Sequence, residues 1–282
     1  MLLIERIEQQ KNFTEAEIKI SNYILNNLSK ISLMTIKEVA EASQVSQASV
    51  VRFCKMLGIR GFPEFKLELN KEITIRESKD FNIVRKDRIG KLSPKEVFIN
   101  TLELDTMAVN QLINTLDLKS VLKSVDLILN ANTIVVYGVG ASAIVAQDIV
   151  YKFIKLGLNV DFNQDFHFML SIILNMKKND IFIAVSTTGE TQEIIELSKF
   201  AKERGAVVIS ITSLQKSTLI KYTDIALYTP VLEEYFRVAN MATRISQLAV
   251  VDVLYMNLYE QLGDEVIDKF YSLREIVERL RR

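Results

Sequence analysis

Apolar positions along the chain follow two different periods, and the change falls near Thr133. From Phe13 to about Arg76 the spacing is helical, with no convincing strand. Thr14-Glu-Ala-Glu17 is a capping box, in which a hydroxyl accepts from the third helical N–H and a glutamate reaches back. Ile18, Ser21, Tyr23, Ile24, Leu25 and Leu28 follow it at amphipathic spacing. Thr35 can cap a helix from Ile36 to Ala42, Ser43-Gln-Val45 makes a short turn, and Ser46 caps a second helix that stops at Gly58. From Glu77 to Leu92 the chain is charged, mixed in sign and aperiodic, the pattern of a surface linker. Ser93-Pro-Lys-Glu96 then combines a capping box with proline at the first helical position. Helical spacing continues through Leu116, and a further helix is expected from Leu118 to Asn130.

Beyond Thr133, short β-branched runs alternate with helical stretches. The expected strands are Ile134–Gly138, Leu158–Phe162, Ile181–Val185, Val207–Thr212 and Asp224–Thr229. The expected helices are Ser142–Leu156, Phe168–Asn175 and Thr191–Arg204, with a short turn near Thr218. The apolar-rich stretch Val238–Leu262 should pack last, as one or two helices. Such alternation predicts a doubly wound parallel sheet whose ligands sit at the C-terminal strand edge. The chain therefore divides into an all-α helix-turn-helix domain (1–76), a linker (77–92) and an α/β ligand-binding domain (93–282).

Composition narrows the function classes. The 282 residues are 49% hydrophobic and 25% charged, enough for two cores. Lys+Arg and Asp+Glu both total 35, so any attraction to nucleic acid must come from a local patch. No run approaches the roughly 18 apolar residues of a membrane helix, and the start Met1-Leu-Leu-Ile-Glu-Arg6 does not read as a signal peptide. A cytoplasmic protein without membrane contact is expected. Cys54 is the single cysteine and His167 the single histidine, so neither a disulfide nor a histidine-rich metal site is expected, and no cofactor is called for.

The local patch lies on the second helix of the pair. At about 100° per residue, Ser46, Val50, Phe53, Cys54 and Leu57 share one sector and should be buried. Ala48, Arg52 and Lys55 fall opposite, with Gln47 and Ser49 beside them near the N-terminal end. Between Gln44 and Pro63 there is no acidic residue, while Arg52, Lys55 and Arg60 are present. A small residue, a glutamine and an arginine at the start of such a helix suit base edges in the major groove. Lys55 and Arg60 are better placed for phosphates, which position a domain without reading sequence.

The second candidate site comprises two strand-to-helix corners, Gly138-Val-Gly-Ala-Ser142 and Ser186-Thr-Thr-Gly-Glu-Thr191. Each offers backbone N–H groups at a helix N-terminus, the natural seat of an anion. Gly189 allows close backbone approach, and the hydroxyls at Ser186, Thr188 and Thr191 exceed what one helix cap needs. The first loop also fits a dinucleotide pattern, with Asp161 where a ribose-binding carboxylate would lie. The second loop has no purpose in a dinucleotide site and favours phosphate.

Two stretches resemble known families. Thr35-Ile-Lys-Glu-Val-Ala-Glu-Ala-Ser43, with Val45 through Lys66, resembles the helix-turn-helix of the RpiR family of bacterial transcriptional regulators. In that family the Val50-Val-Arg-Phe-Cys54 core and the Gly61-Phe-x-Glu-Phe-Lys66 tail are typical. The resemblance implies a winged-helix-like domain that binds operator DNA as a dimer. Ser186-Thr-Thr-Gly-Glu-Thr191 is similar to the second loop of the sugar isomerase (SIS) domain, Ser-x-Ser-Gly-x-Thr, with Thr188 in place of the usual second serine. Gly138-Val-Gly-Ala-Ser142 is similar to its first loop, and Ser142 matches the ligand-binding serine. Asp165-Phe-His167 resembles a short segment common in RpiR members, and Met241 to Leu254 resembles their closing helix.

Together these expectations describe a sugar-phosphate-responsive regulator. Gly140, Ser142, Ser186, Thr187, Thr188, Gly189, Thr191 and His167 would hold the ligand, and Gln47, Ala48, Ser49, Arg52, Lys55 and Arg60 would meet DNA. The resemblance and operator symmetry imply a dimer or a tetramer. Two alternatives stay open: a sugar-phosphate isomerase, with its base among His167, Glu190, Glu233 and Glu234, and an NADH-sensing repressor.

Overall fold

The computed structural model describes residues 3–9, 13–78, 91–231 and 241–281. The chain forms two compact units. One comprises the chain up to Thr115 with Leu214–Lys216 and the segment from Pro230; the other comprises Leu116–Ser213, Ser217–Thr229 and the C-terminal helices.

The first unit is helical throughout its described residues, and no β-hairpin wing occurs among them. Its elements are α1 (Leu3–Glu8), α2 (Glu15–Asn26), α3 (Leu28–Ile31), α4 (Ile36–Ala42), α5 (Gln47–Met56), α6 (Phe62–Ser78), α7 (Pro94–Asn110) and α8 (Leu112–Thr115). Helices begin where the sequence supplies caps. Thr14, Thr35 and Ser93 each accept from the N3 amide, and the N3 glutamate returns to the cap's own N–H at 2.7, 2.6 and 2.7 Å. The core gathers Ile4, Ile7, Ile20, Ile24, Val39, Val50, Phe53, Cys54, Leu57, Phe65 and Leu69, nearly all with no exposed surface. Phe53 meets Phe13 and Phe65 edge-on, with centroids 5.8 and 6.3 Å apart. Because α6 runs through Ser78, Glu77 and Ser78 are helical and not the start of a linker. Residues 79–90 of that expected linker lie outside the described residues.

The second unit opens with α9 (Leu118–Leu129) and then builds a sheet of five parallel strands in the order β2-β1-β3-β4-β5. The strands are β1 (Ile134–Gly138), β2 (Val160–Asp161), β3 (Ile181–Val185), β4 (Val207–Ser213) and β5 (Ile225–Thr229). Helices α10 (Ala141–Lys155), α11 (Phe166–Leu174) and α12 (Gln192–Glu203) make the first three crossovers, and a 3-10 turn (Leu219–Tyr222) lies before β5. β1 and β3 are buried along their whole length, which is why they read as continuous apolar runs. α13 (Met241–Leu262) is one continuous helix and α14 (Asp264–Leu280) follows it; Val238–Asn240, expected to begin that stretch, lie outside the described residues. Lys152 on α10 bridges Asp148 and Asp252, 2.5 Å from each, and so ties α13 to α10.

Two expected elements are corrected. β2 is two residues long, not the five of Leu158–Phe162, because only Val160 and Asp161 pair with β1, opposite Ile134 and Val135. α11 starts at Phe166, two residues early, because the Asp165 carboxylate caps it by accepting from Phe168 N–H at 2.7 Å.

Candidate functional site

In the first unit, α4 and α5 are joined by Ser43-Gln-Val45, with Gln44 at a φ of 55° making the sharp bend. Ser46 caps α5 by accepting from Ser49 N–H at 3.1 Å. Ser46 is exposed and not buried as expected, since a cap faces outward to meet the first-turn amides. The other end closes as a Schellman motif. Ile59 N–H reaches Cys54 O and Gly58 N–H reaches Lys55 O, each at 2.9 Å, with Gly58 at a φ of 75°. The Arg6 guanidinium from α1 also donates to Leu57 O, so α5 is fixed at both ends.

This fixing decides what α5 presents. Val50, Phe53, Cys54 and Leu57 are buried, while Gln47, Ala48, Arg52, Lys55 and Arg60 are exposed and Ser49 is half-buried. The Arg52 guanidinium donates to the Ser49 hydroxyl at 3.3 Å, and Ser49 Oγ lies 2.9 Å from Ser46 Oγ. A rigid helix thus shows a glutamine, an alanine and an arginine on one face, with cations at its far end.

In the second unit the two corners lie side by side. Gly138 and Val185, the last residues of β1 and β3, pair directly in register. In a sheet of this order the β1/β3 boundary is the switch point, where connections leave in opposite directions and open a crevice. At the first corner, a Cβ on Gly138 would come 2.5 Å from Ser142 O, so only glycine lets α10 start so close to the strand. Gly140 precedes α10 without any side-chain cap, and its surroundings are open. Ser142, in the first turn, is mostly buried.

The second loop satisfies itself. Ser186 Oγ accepts from Gly189 N–H at 3.1 Å and lies 3.4 Å from the Thr191 hydroxyl; Thr188 Oγ1 accepts from Glu190 N–H at 3.3 Å. Thr187 O accepts from Ser213 N–H at 3.1 Å, extending the β3–β4 ladder into the loop. Thr191 precedes α12 without capping it. Elsewhere Thr14, Thr35, Ser46, Ser93, Asp117 and Asp165 cap their helices. The hydroxyls of this loop therefore do not serve as the helix cap. They occupy amides that an anion's oxygens could take over, beside the positive dipole ends of α10 and α12. The Tyr137 hydroxyl, near the end of β1, is pushed up by burial and then by the Glu193 and Asp165 carboxylates, so it stays a neutral donor here.

His167 is exposed in the first turn of α11, its ring edge-on to Phe166 with centroids 5.6 Å apart. Chain order puts it at the same C-terminal strand edge, beyond β2. Asp161 ends β2 and is exposed. Glu233 and Glu234 lie outside the described residues. Glu190 is occupied: its two carboxylate oxygens accept from Thr218 N–H at 2.7 Å and from the Thr218 hydroxyl at 2.8 Å. Among the described residues no cluster of three metal-ligating side chains occurs.

Two neighbours of the loop escaped the sequence reading. Gln247 of α13, fully buried, donates to the Thr187 hydroxyl at 3.5 Å, with Thr243 and Ser246 buried beside it. Polar residues buried on an apolar-rich helix were the available signal. Ser217 and Thr218 pack against Gly189 and Glu190, a contact across 28 residues that no local pattern encodes.

The model of the rpiR-family helix-turn-helix domain matches residues 1–75, and that of the SIS domain matches residues 127–257. An uncharacterised HTH-type transcriptional regulator of Caldanaerobacter subterraneus subsp. tengcongensis is 33% identical over 271 residues, 96% of this chain and 94% of that protein. The structure of Vibrio vulnificus NanR complexed with ManNAc-6P is similar over 99% of this chain and 98% of that one, at 25% identity and a TM-score of 0.61. The sugar isomerase domain of an RpiR transcription factor from Sphaerobacter thermophilus shares the fold over 64% of this chain and 98% of its own, at 20% identity and a TM-score of 0.56.

Proposed function

Since the chain belongs to the RpiR family of HTH-type transcriptional regulators, with an SIS domain behind its helix-turn-helix, we propose that it senses a sugar phosphate and adjusts its grip on operator DNA accordingly. The observation that carries this reading is the pair of uncapped helix N-termini at the β1/β3 switch point, beside a loop whose Gly189 and Glu190 amides are held by its own hydroxyls. The phosphoryl group would sit against Gly140, Ser142, Ser186, Thr187, Thr188, Gly189 and Thr191. On binding, Ser186 and Thr188 would turn from accepting amides to donating to phosphate oxygens, and the freed N–H groups would add charge-assisted bonds. His167 would face the sugar from the first turn of α11. NanR, solved with an N-acetylhexosamine 6-phosphate, makes that class the first ligand to try.

On the DNA side, Gln47, Ala48, Ser49 and Arg52 would meet base edges, and Lys55 and Arg60 phosphates. The protein would act in the cytoplasm as a dimer or tetramer, without cofactor and without turning over its ligand. Glu190, one candidate base for isomerisation, has both oxygens engaged by Thr218, which favours the sensor over the isomerase. Ligand would act by shifting the population of arrangements of the DNA-binding heads; a coupling of about 1–3 kcal/mol changes operator affinity roughly 5–150-fold.

A thermal-shift screen tests this, using N-acetylmannosamine 6-phosphate, glucosamine 6-phosphate, glucose 6-phosphate, fructose 6-phosphate and NADH. A ligand at about 100 times its dissociation constant stabilises by about 2.7 kcal/mol. Stabilisation by a phosphosugar supports the reading. Stabilisation by NADH alone replaces it with the redox sensor, and measured turnover of a hexose phosphate replaces it with the isomerase.

A further inference from the structure

A carboxylate in the middle of an anion-binding loop is an electrostatic liability, because like charges a few ångströms apart repel each other. Glu190 sits one residue from Gly189 and two from Thr188, in the turn that follows β3 at the switch point. Its side chain is engaged by the segment that follows β4, the strand on the other side of β3 from β1. Both oxygens are taken by Thr218, one by the backbone N–H at 2.7 Å and one by the hydroxyl at 2.8 Å. The neighbouring residues hold the same contact from either side. Leu219 N–H donates to Gly189 O at 3.0 Å, and Ser217 fills the space beside Gly189 so closely that a Cβ there would lie 2.4 Å from Ser217 Oγ. The Ser217 hydroxyl is buried and has no hydrogen-bond partner. Segment 217–219 thus grips the loop at two consecutive residues, Gly189 and Glu190, from the β4 side of β3.

We propose that Thr218 is a positioning residue of the phosphosugar site: it holds the Glu190 carboxylate turned away from the bound phosphoryl group, so that the loop can carry an acidic residue and still bind an anion. Nothing bonds to the phosphate through Thr218 itself. Its effect runs through the direction of a charge. The inference rests on the reading of Ser186–Thr191 as the phosphosugar loop and deepens it by naming what keeps that loop's potential positive.

The test is calorimetric titration of the full chain with whichever of N-acetylmannosamine 6-phosphate, glucose 6-phosphate or fructose 6-phosphate the wild type binds. Thr218→Val removes the hydroxyl at nearly constant volume and should weaken binding about tenfold, a loss that shrinks as salt screens the released charge. Adding Glu190→Gln should return affinity to near the wild-type value, since the amide brings no charge to the site. Thr218→Ser should bind like wild type. Glu190→Gln alone should bind as tightly as wild type or more tightly, which keeps the inference testable should Thr218→Val fail to fold. An unchanged affinity in Thr218→Val, a double variant no better than Thr218→Val, or a weakened Glu190→Gln would each overturn the inference while leaving the loop's assignment standing. A wild-type protein that binds none of the three would remove the assignment and the inference together.

Discussion

Gly138 and Val185 lie directly opposite each other on adjacent parallel strands, and each is the last residue of its strand. Both chains therefore leave the sheet at the same level, and their turns face one another across the crevice. Gly138 is needed for the geometry of its own turn, because a Cβ would fall 2.5 Å from Ser142 O and 2.7 Å from Ser142 C. Gly138→Ala should shift the start of α10 and cost about 1–3 kcal/mol, the usual range for overpacking a filled site. In a domain of this size that lowers the melting temperature by roughly 2–4 °C per kcal/mol. An unchanged melting temperature would mean that α10 starts further from β1 than described.

Ser186→Ala deletes the acceptor that Gly189 N–H uses at 3.1 Å in the free loop. It also deletes a donor to the bound phosphate, and bonds to charged groups contribute about 1.5–3 kcal/mol each. The variant should bind phosphosugar about 10–100-fold more weakly. Operator binding without ligand should be retained in a gel-shift assay. Loss of that binding as well would assign Ser186 to the fold instead of the ligand.

Arg52→Ala and Lys55→Ala should fail in different ways. Arg52 stands on the exposed face of α5 near its middle, and losing a base contact typically costs 1–3 kcal/mol, roughly 5–150-fold, with relaxed sequence preference at one position. Lys55, at the far end of α5, should weaken all sequences alike and reduce the salt slope by about one. Operator affinity untouched in Arg52→Ala would displace α5 as the reading helix.

The Cys54 thiol is pushed up by burial, from an ordinary value of 9.0 to about 12. The unfolded chain releases this proton at lower pH than the fold does. The stabilisation from the buried neutral thiol is thus complete below pH 9 and is lost as pH rises toward 12, at about 1.4 kcal/mol per unit. At pH 8 a thiol reagent should leave the native protein unmodified and label it fully in urea. Rapid native labelling would show that Cys54 is not part of the core.

Much of this was legible locally. β1, β3 and α4 start and stop at the residues their patterns predict, because capping hydroxyls, β-branched runs and strand-ending turns are short-range signals. The failures lie at the ends of elements. Asp165 acts as a cap that advances α11, and β2 pairs with β1 over two residues only. Ser46 has the right angle for burial yet stands outside the helix it caps. The candidate site was half-readable: its two loops announce themselves by glycine and hydroxyl spacing, whereas Thr218 and Gln247 meet the second loop only through the tertiary fold. Gln247 is informative in that respect, since helical periodicity assigns a buried glutamine to the core and cannot say what its amide meets.

The self-bonded second loop sets a bound on how tightly it can hold anything. On the proposed reading, an incoming phosphate would first displace Ser186 from Gly189 N–H and Thr188 from Glu190 N–H, so those two amides would exchange one partner for another. The net gain is a difference between similar bonds, not the full strength of new ones. A pocket built this way tends to let go again when its metabolite becomes scarce. For a gauge of metabolite supply, ready release is worth more than a firm hold.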